Sequence, residues 1–585
     1  MKTFLNPSVK KYEARQGYLQ VQSKMYIFYS ELLPQKVIAK KLMTIMSYAE
    51  GKVEFTFCAC KLPAYTVYIQ EFSTKLKKIP TPPIDNEAYN LKIMSNGIII
   101  SASDEAGLYY GSVTLSQIFR KRGMTIPCAN IEDWPDFKFR GFGPFYSGHN
   151  YESRDESPSS KYFQLAQQAA DFKYNSFAFE IEAFKTPEDL KSFGDFCEDN
   201  HLMAVPVHPY LGLAHTDVVK YVEMSEKEFD KAAAPIKKAA ALLKSKYFLI
   251  GGDELIDSYD HTQRKGIYSS KQLAEKKPHE WLYACLIRFY DFLKKSDITM
   301  MLWADFLIDE NEFNGYPCMI NGYGGKPDYH CRIAEMLPKD IVMLDWHYES
   351  APEYPTINYI MSLGYNVVAC PWRDVANPEI FAEYAHKTQN SKLLGMMQVN
   401  WETPFSASNT KLLERSAGHI WSPGDSIEND SEQMQIYRKY LKSNPFQRLW
   451  PGKNLIKIEV CQKGLGSSSF LVHSTGARSC YFQKDAVFVK SGRTSEISYA
   501  IDYPLQNASL TIFDVPENIE YSFEVIKDDS SVYEKLETVY TGKNISANLP
   551  SCIEKLKLKI SGKNMSMTKQ PFLKQLKIEC NILES

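Results

Sequence analysis

Between about residues 139 and 420 the apolar positions gather into short, continuously hydrophobic, β-rich runs separated by helix-length amphipathic intervals. The runs are FRGFGPFY (139–146), FAFEI (177–181), MAVPVHP (203–209), YFLIGGDE (247–254), TMMLWAD (299–305), IVMLDWHY (341–348), NVVACPW (366–372) and GMMQVNW (395–401). Between them lie stretches such as KYFQLAQQAADFK, TPEDLKSFGDFCEDN and SEKEFDKAAAPIKKAAALLKSK, several of which open on a Thr, Ser or Asn cap. Strands that are apolar along their whole length are covered on both faces, so eight strand–helix units predict a (β/α)8 TIM barrel. An open doubly wound sheet is the competing arrangement, but no glycine-rich phosphate loop follows the first run.

The rhythm differs on either side. KVEFTFCAC and GIIISASDE read as strands, and DEAGLYYGSVTLSQIFRKRG reads as a helix that opens on Asp104, stops near Gly123 and turns Leu108, Val113, Leu115 and Ile118 inward. The prolines of IPCANIEDWPDF then mark a boundary. After WPGKN (450–454) short strand-like runs return, among them LIKIEV, EISYAI, SLTIFDV and EYSFEVI, with turn residues between them. The expected fold class is therefore α/β: a small α+β domain over 1–134, a central (β/α)8 barrel over 135–445 and a β-sandwich over 446–585.

Composition narrows the function. A chain of 585 residues, 44% hydrophobic, can bury several cores. Its 68 basic and 70 acidic residues give a net charge of -2, which argues against nucleic acid held by phosphate neutralisation. The N-terminus MKTFLNPSVKKYEARQ lacks an apolar leader and no run reaches membrane-spanning length, so the chain as written reads as cytoplasmic and without membrane contact. A trimmed secreted form would look the same, and a homodimer is compatible with the pattern. The 12 cysteines are scattered, and the close pair Cys58 and Cys60 lacks metal-ligand spacing, so reduced thiols are expected, with no metal and no cofactor.

Barrel chemistry sits at the C-terminal ends of the strands. Those ends carry His208, then Asp253 and Glu254, then Trp303 and Asp305, then Asp345, Trp346, His347 and Tyr348, then Trp372, and finally Trp401 and Glu402. Four of the eight tryptophans thus fall on one rim. An indole offers a broad apolar face and one donor, which suits a sugar ring, although another flat ligand or a plugged barrel mouth would use the same residues.

Two adjacent acids need a reason. Neighbours on a regular strand point to opposite faces, and the glycines before Asp253 relax that constraint so both carboxylates can approach one ligand. On a glycoside, conventional enzymes hold two carboxyls roughly 5 Å or 6.5–9.5 Å apart across the sugar, whereas sequence neighbours approach from one side. The attacking group then has to come from elsewhere, and a 2-acetamido substituent can supply it by closing an oxazoline ring. In that scheme Glu254 is general acid and then base, while Asp253 holds the acetamido N–H.

Several stretches resemble the glycoside hydrolase family 20 β-N-acetylhexosaminidases. GGDE is similar to the family's catalytic Asp-Glu signature, DEAGLYYGSVTLSQIF to the helix of its small domain, IEDWPDFKFRG to the entry into the first strand, FKYNSFAFEI to the entry into the second, and QVNWE to the eighth strand end. The resemblance implies Asp253 and Glu254 as the catalytic pair. It also implies Trp303, Trp346 and Trp401 as pocket walls, Glu402 as a hydroxyl-binding acid and a β-linked amino-sugar oligosaccharide or glycoconjugate as partner. Trp372, Asp305, His208 and His149 complete the candidate binding residues.

Departures are also visible. No arginine follows RG on the first strand, where RGFGPFYSGHN offers Gly148 and His149; Glu180 and Glu182 stand where the family has a histidine and an aspartate; HPYLGLAH replaces its PGH turn. Tyr348 and Tyr323 are candidates for the acetamido-binding tyrosine. The alternatives are a conventional retaining glycosidase using Glu254 with Glu402 or Asp345, a catalytically silent sugar binder, and a metal site of Asp253, Glu254, His208 and Asp305.

Overall fold

A computed structural model describes residues 5–42, 45, 52–70, 81–145, 158–207, 218–253, 269–308, 330–348, 353–372, 376–406 and 408–423, together with strand-forming segments between 457 and 582. The N-terminal strands β1 (Lys11–Gln20), β2 (Lys24–Ser30), β3 (Glu54–Cys60), β4 (Thr66–Gln70), β5 (Tyr89–Met94), β6 (Gly97–Ala102) and β7 (Thr125–Asp133) form a seven-stranded sheet in the order β1-β7-β5-β6-β4-β2-β3. Its pairings are antiparallel except for β2 with β3.

The predicted helix runs Glu105–Arg122. The Asp104 carboxylate accepts from Gly107 N–H at its start, and Gly123 ends it. It is not the one-sided helix that the sequence suggests: from Gly107 to Phe119 nearly every residue is buried. One side lies on the sheet, while Tyr109 and Tyr110 reach the next domain, where their hydroxyls meet Asn200 and Arg140.

Eight parallel strands follow: β8 (Phe139–Phe142), β9 (Ser176–Glu180), β10 (Met203–Val207), β11 (Tyr247–Gly251), β12 (Thr299–Trp303), β13 (Val342–His347), β14 (Asn366–Pro371) and β15 (Leu393–Gln398). They close into a barrel, with Gly395 of β15 opposite Phe139 of β8. Each matches one predicted run, trimmed where the polar strand end becomes a turn. Intervening helices use the expected starts: Thr186 caps Pro187–Asp199, and Ser225 makes a capping box with Glu228 on Glu226–Leu243.

Alternate residues fill the barrel interior, among them Phe139, Ala178, Val205, Leu249, Met301, Leu344, Val368 and Met397. Their neighbours, such as Phe248, Met300, Met343 and Val367, pack into the larger core shared with the helices. The described C-terminal strands form six-, five- and three-stranded sheets, wholly β as the turn spacing predicts.

The first two domains share a buried polar junction at the seam where β15 meets β8. Asp133, at the end of β7, accepts from Lys173 Nζ at 2.8 Å, Tyr89 Oη at 2.7 Å and Trp421 Nε1 at 2.9 Å. Two cations approach the Trp421 ring, with Lys173 Nζ 4.6 Å and the Arg140 guanidinium 5.0 Å from its centroid. Arg140 also pairs with Glu87 at 2.7 Å and donates to Tyr110 at 2.9 Å. Burial lowers the Lys173 pKa, and the Asp133 charge opposes that shift.

Candidate active site

The interior-facing series of β12 to β15 ends in indoles. Trp303, Trp346, Trp372 and Trp401 all pack on the barrel's interior cluster, Trp303 buried and the others half-buried. Their spacing follows from strand alternation: Met301 and Trp303, Leu344 and Trp346, Cys370 and Trp372, Val399 and Trp401 lie two apart. Trp303 and Trp401, from strands three places apart in the barrel order, meet across the mouth with ring centroids 5.5 Å apart. Tyr348 joins the group, its ring stacked 4.9 Å from Trp346 and edge-on 5.1 Å from Trp372. Its hydroxyl accepts from Trp401 Nε1 at 2.6 Å.

Two asparagines that the sequence reading did not single out hold the last strand end. Asn400, fully buried, accepts from Glu402 N–H at 3.1 Å and donates to Asn409 at 2.8 Å. Asn409 in turn donates to the carbonyls of Thr403 and Pro404. The turn presenting Trp401 and half-buried Glu402 is thereby fixed to the helix Ser408–Trp421. Asn377 does the same for Trp372 by accepting from its backbone N–H at 3.2 Å. Only the position of each asparagine one or several residues from an indole signals this in the sequence.

At the end of β11 the pairing register shifts between Leu249 and Gly251, and both Gly251 and Gly252 have left-handed φ, 98° and 92°. The strand therefore breaks its alternation just before Asp253, which stands half-buried in the following turn. The neighbouring strand in the barrel is β12, which ends in Trp303. Glu254, His208, His149 and Tyr323 lie outside the described residues.

Two other candidates sit differently. Asp305 is buried in the 3-10 turn Asp305–Leu307 directly after β12. Asp345, considered above as a nucleophile, belongs to the opposite parity from Leu344 and Trp346 and does not join the interior cluster. Its Oδ2 accepts from Thr356 Oγ1 of the helix Pro355–Ser362 at 3.0 Å, and its Oδ1 lies 3.3 Å from His347 Nε2. With the Thr356 proton on Asp345, the 2.7 Å contact makes His347 Nε2 the donor to Thr356. This triad ties β13 to its helix, and Asp345 is removed as a nucleophile because strand alternation turns it into the helical shell.

On β8 the interior offers Phe139 alone. A Cβ at Gly141 would lie 2.8 Å from Met397 Cγ, and one at Gly143 would lie 2.1 Å from the Ala178 carbonyl oxygen. Arg140, beside Gly141, is committed to the domain junction, and Gly148 and His149, which stand where the sequence offers no arginine, lie outside the described residues.

Strand β9 ends in acids. Glu180 is buried, two residues after inward-facing Ala178, and Glu182 follows in the short 3-10 turn. Desolvation raises the Glu182 pKa to about 7; hydrogen bonding at its own backbone opposes this and the Glu180 charge adds to it. Because the folded value exceeds the unfolded one, this group's contribution to stability is full below about pH 4.5 and is lost as pH rises through about 7. Replacing Glu182 by Gln is expected to abolish that component. Between pH 4.5 and 7 the variant should lose less stability than wild type in urea titrations; parallel pH dependences would contradict the assignment.

Residues 2–134 match the model of glycosyl hydrolase family 20, domain 2. The small N-terminal domain is thus similar to domain 2 of the family 20 glycosyl hydrolases. A β-hexosaminidase of Vibrio furnissii is 30% identical over 102 residues, a match covering 17% of this chain and 16% of that protein. Among solved structures, a β-N-acetylhexosaminidase from Bacteroides fragilis superposes with a TM-score of 0.51 at 16% identity, covering 75% of this chain and 94% of the other. A chitobiase from Flavobacterium johnsoniae gives 0.51 at 17%, covering 76% and 72%. An exo β-N-acetylglucosaminidase from Vibrio harveyi, solved with N-acetylglucosamine, gives 0.51 at 15%, covering 76% and 77%. At such identities the likeness establishes the fold.

Proposed function

We propose that this chain is a glycoside hydrolase that removes β-linked N-acetylhexosamine with retention, the substrate's own acetamido oxygen acting as nucleophile. The observation that carries the reading is the end of β11: two left-handed glycines and a register shift deliver Asp253 into a turn beside the strand whose last residue is Trp303. In this scheme the indoles bury the sugar and the acetamido methyl. Asp253 orients the acetamido N–H and stabilises its developing positive charge as the oxygen closes on the anomeric carbon. Glu254 protonates the departing oxygen and then deprotonates the water that opens the oxazoline. Glu402 receives sugar hydroxyls.

A conventional double displacement keeps Glu402 as its remaining nucleophile candidate, since Asp345 faces the helices. The lack of an arginine after RG, where Gly148 and His149 stand instead, favours a substrate recognised less through its ring hydroxyls than through its 2-acetamido group and aglycone. The test is a panel of nitrophenyl β-glycosides. Turnover is expected with 2-acetamido sugars of the gluco or galacto series and not with their 2-hydroxy counterparts; equal turnover of both would exclude substrate assistance.

A further inference from the structure

We infer that Tyr348 is a positioning residue that acts through Trp401, setting the angle at which that indole faces the ligand; the inference rests on the glycosidase reading above. An indole N–H only donates, so in the 2.6 Å contact the Tyr348 oxygen is the acceptor. The phenol ring is itself gripped by two indoles, stacked on Trp346 and edge-on to Trp372. Trp401 lies against Trp303 across the mouth. One side chain thus couples the ends of β13, β14 and β15, and its hydroxyl is the polar tie to the indole that spans to β12.

Removing that oxygen alone leaves every ring in place and the Trp401 donor without its acceptor. A half-buried indole released in this way gains freedom about its side-chain torsions, and its face no longer lies ready for the sugar. A face that contacts the sugar in ground and transition states alike contributes uniform binding, so its loss is read in KM. A tyrosine that touched the ligand directly would behave differently, because its effect would not depend on what stands at position 401.

The test is a double-mutant cycle with Tyr348→Phe and Trp401→Phe, assayed on a nitrophenyl 2-acetamido-2-deoxy-β-glycoside. Tyr348→Phe is expected to raise KM about fivefold to tenfold with kcat changed less than about twofold, and to add nothing in the Trp401→Phe background. An equal loss in both backgrounds would make Tyr348 a direct ligand contact, and no loss in either would remove it from the site; both overturn the inference. Trp401→Leu, which also lacks a donor, serves the same arm if Trp401→Phe does not fold. A readout independent of turnover is 19F NMR of 5-fluorotryptophan-labelled protein. The Trp401 resonance, assigned by its absence in Trp401→Phe, should shift in Tyr348→Phe; an unmoved resonance overturns the positioning role. If the wild type turns over no amino sugar while that resonance moves, the glycosidase reading fails and the Tyr348–Trp401 coupling stands.

Discussion

Replacing Glu254 by Gln, or Asp253 by Asn, is expected to lower kcat/KM for a 2-acetamido glycoside by a factor of about 100 or more. The two losses should differ in kind. Without Glu254 the first step lacks its acid, so substrates with a good leaving group such as dinitrophenolate should suffer less than those with a poor one. Without Asp253 the acetamido group loses its orienting acid, so the loss should persist whatever the leaving group. The comparison is made by steady-state kinetics on dinitrophenyl and methylumbelliferyl glycosides. Undiminished hydrolysis by either variant would sink its assigned role.

The second large effect concerns the domain junction. Asp133→Ala leaves the buried Lys173 ammonium and the Trp421 N–H without their shared carboxylate. Both Lys173 and Asp133 have fully buried side chains, so the loss is expected to be about 3–5 kcal/mol, read as the free energy of the barrel's urea unfolding transition. Replacing both partners with apolar residues, Asp133→Leu with Lys173→Met, should recover a good part of it, since no uncompensated charge remains. A loss below about 1 kcal/mol in the single variant would show that water reaches the pair.

The junction explains the position of the small domain. The contacts of the junction fall on Arg140 of the first barrel strand, Lys173 beside the second and Trp421 at the end of the last helix described, three elements that flank the closing seam. This domain is also the part that matches a family model, over residues 2–134.

Much of the barrel was legible because its information is local and periodic. Continuous apolar runs gave all eight strands in order, and Thr186 and Ser225 announced two of the helices between them. The four rim tryptophans were legible too, because each ends an apolar run at an interior-parity position. Asp345 was not, since a run of polar strand-end residues does not reveal which of them keep the alternation. In β13 the pairing stays regular through His347, so Asp345 and His347 point away from Trp346. In β11 it does not, and the shift at Gly251 was foreshadowed by the paired glycines.

Long-range partners left no periodic mark. Nothing near Arg140 in the sequence announces Glu87 or Tyr110, and nothing near Trp401 announces Tyr348, 53 residues earlier. Burial of the helix Glu105–Arg122 on nearly all sides was hidden for the same reason: its second partner is another domain.

If the sugar carries its own nucleophile, the rate of hydrolysis responds as fluorine is added stepwise to the acetyl methyl of a nitrophenyl 2-acetamido-2-deoxy-β-glycoside. Each fluorine withdraws electrons from the carbonyl oxygen without greatly changing its size. If that oxygen attacks the anomeric carbon, kcat should fall steeply from acetyl through mono- and difluoroacetyl to trifluoroacetyl. A kcat that stays level across the four substrates would place the nucleophile on the protein and rule out attack by the acetamido oxygen.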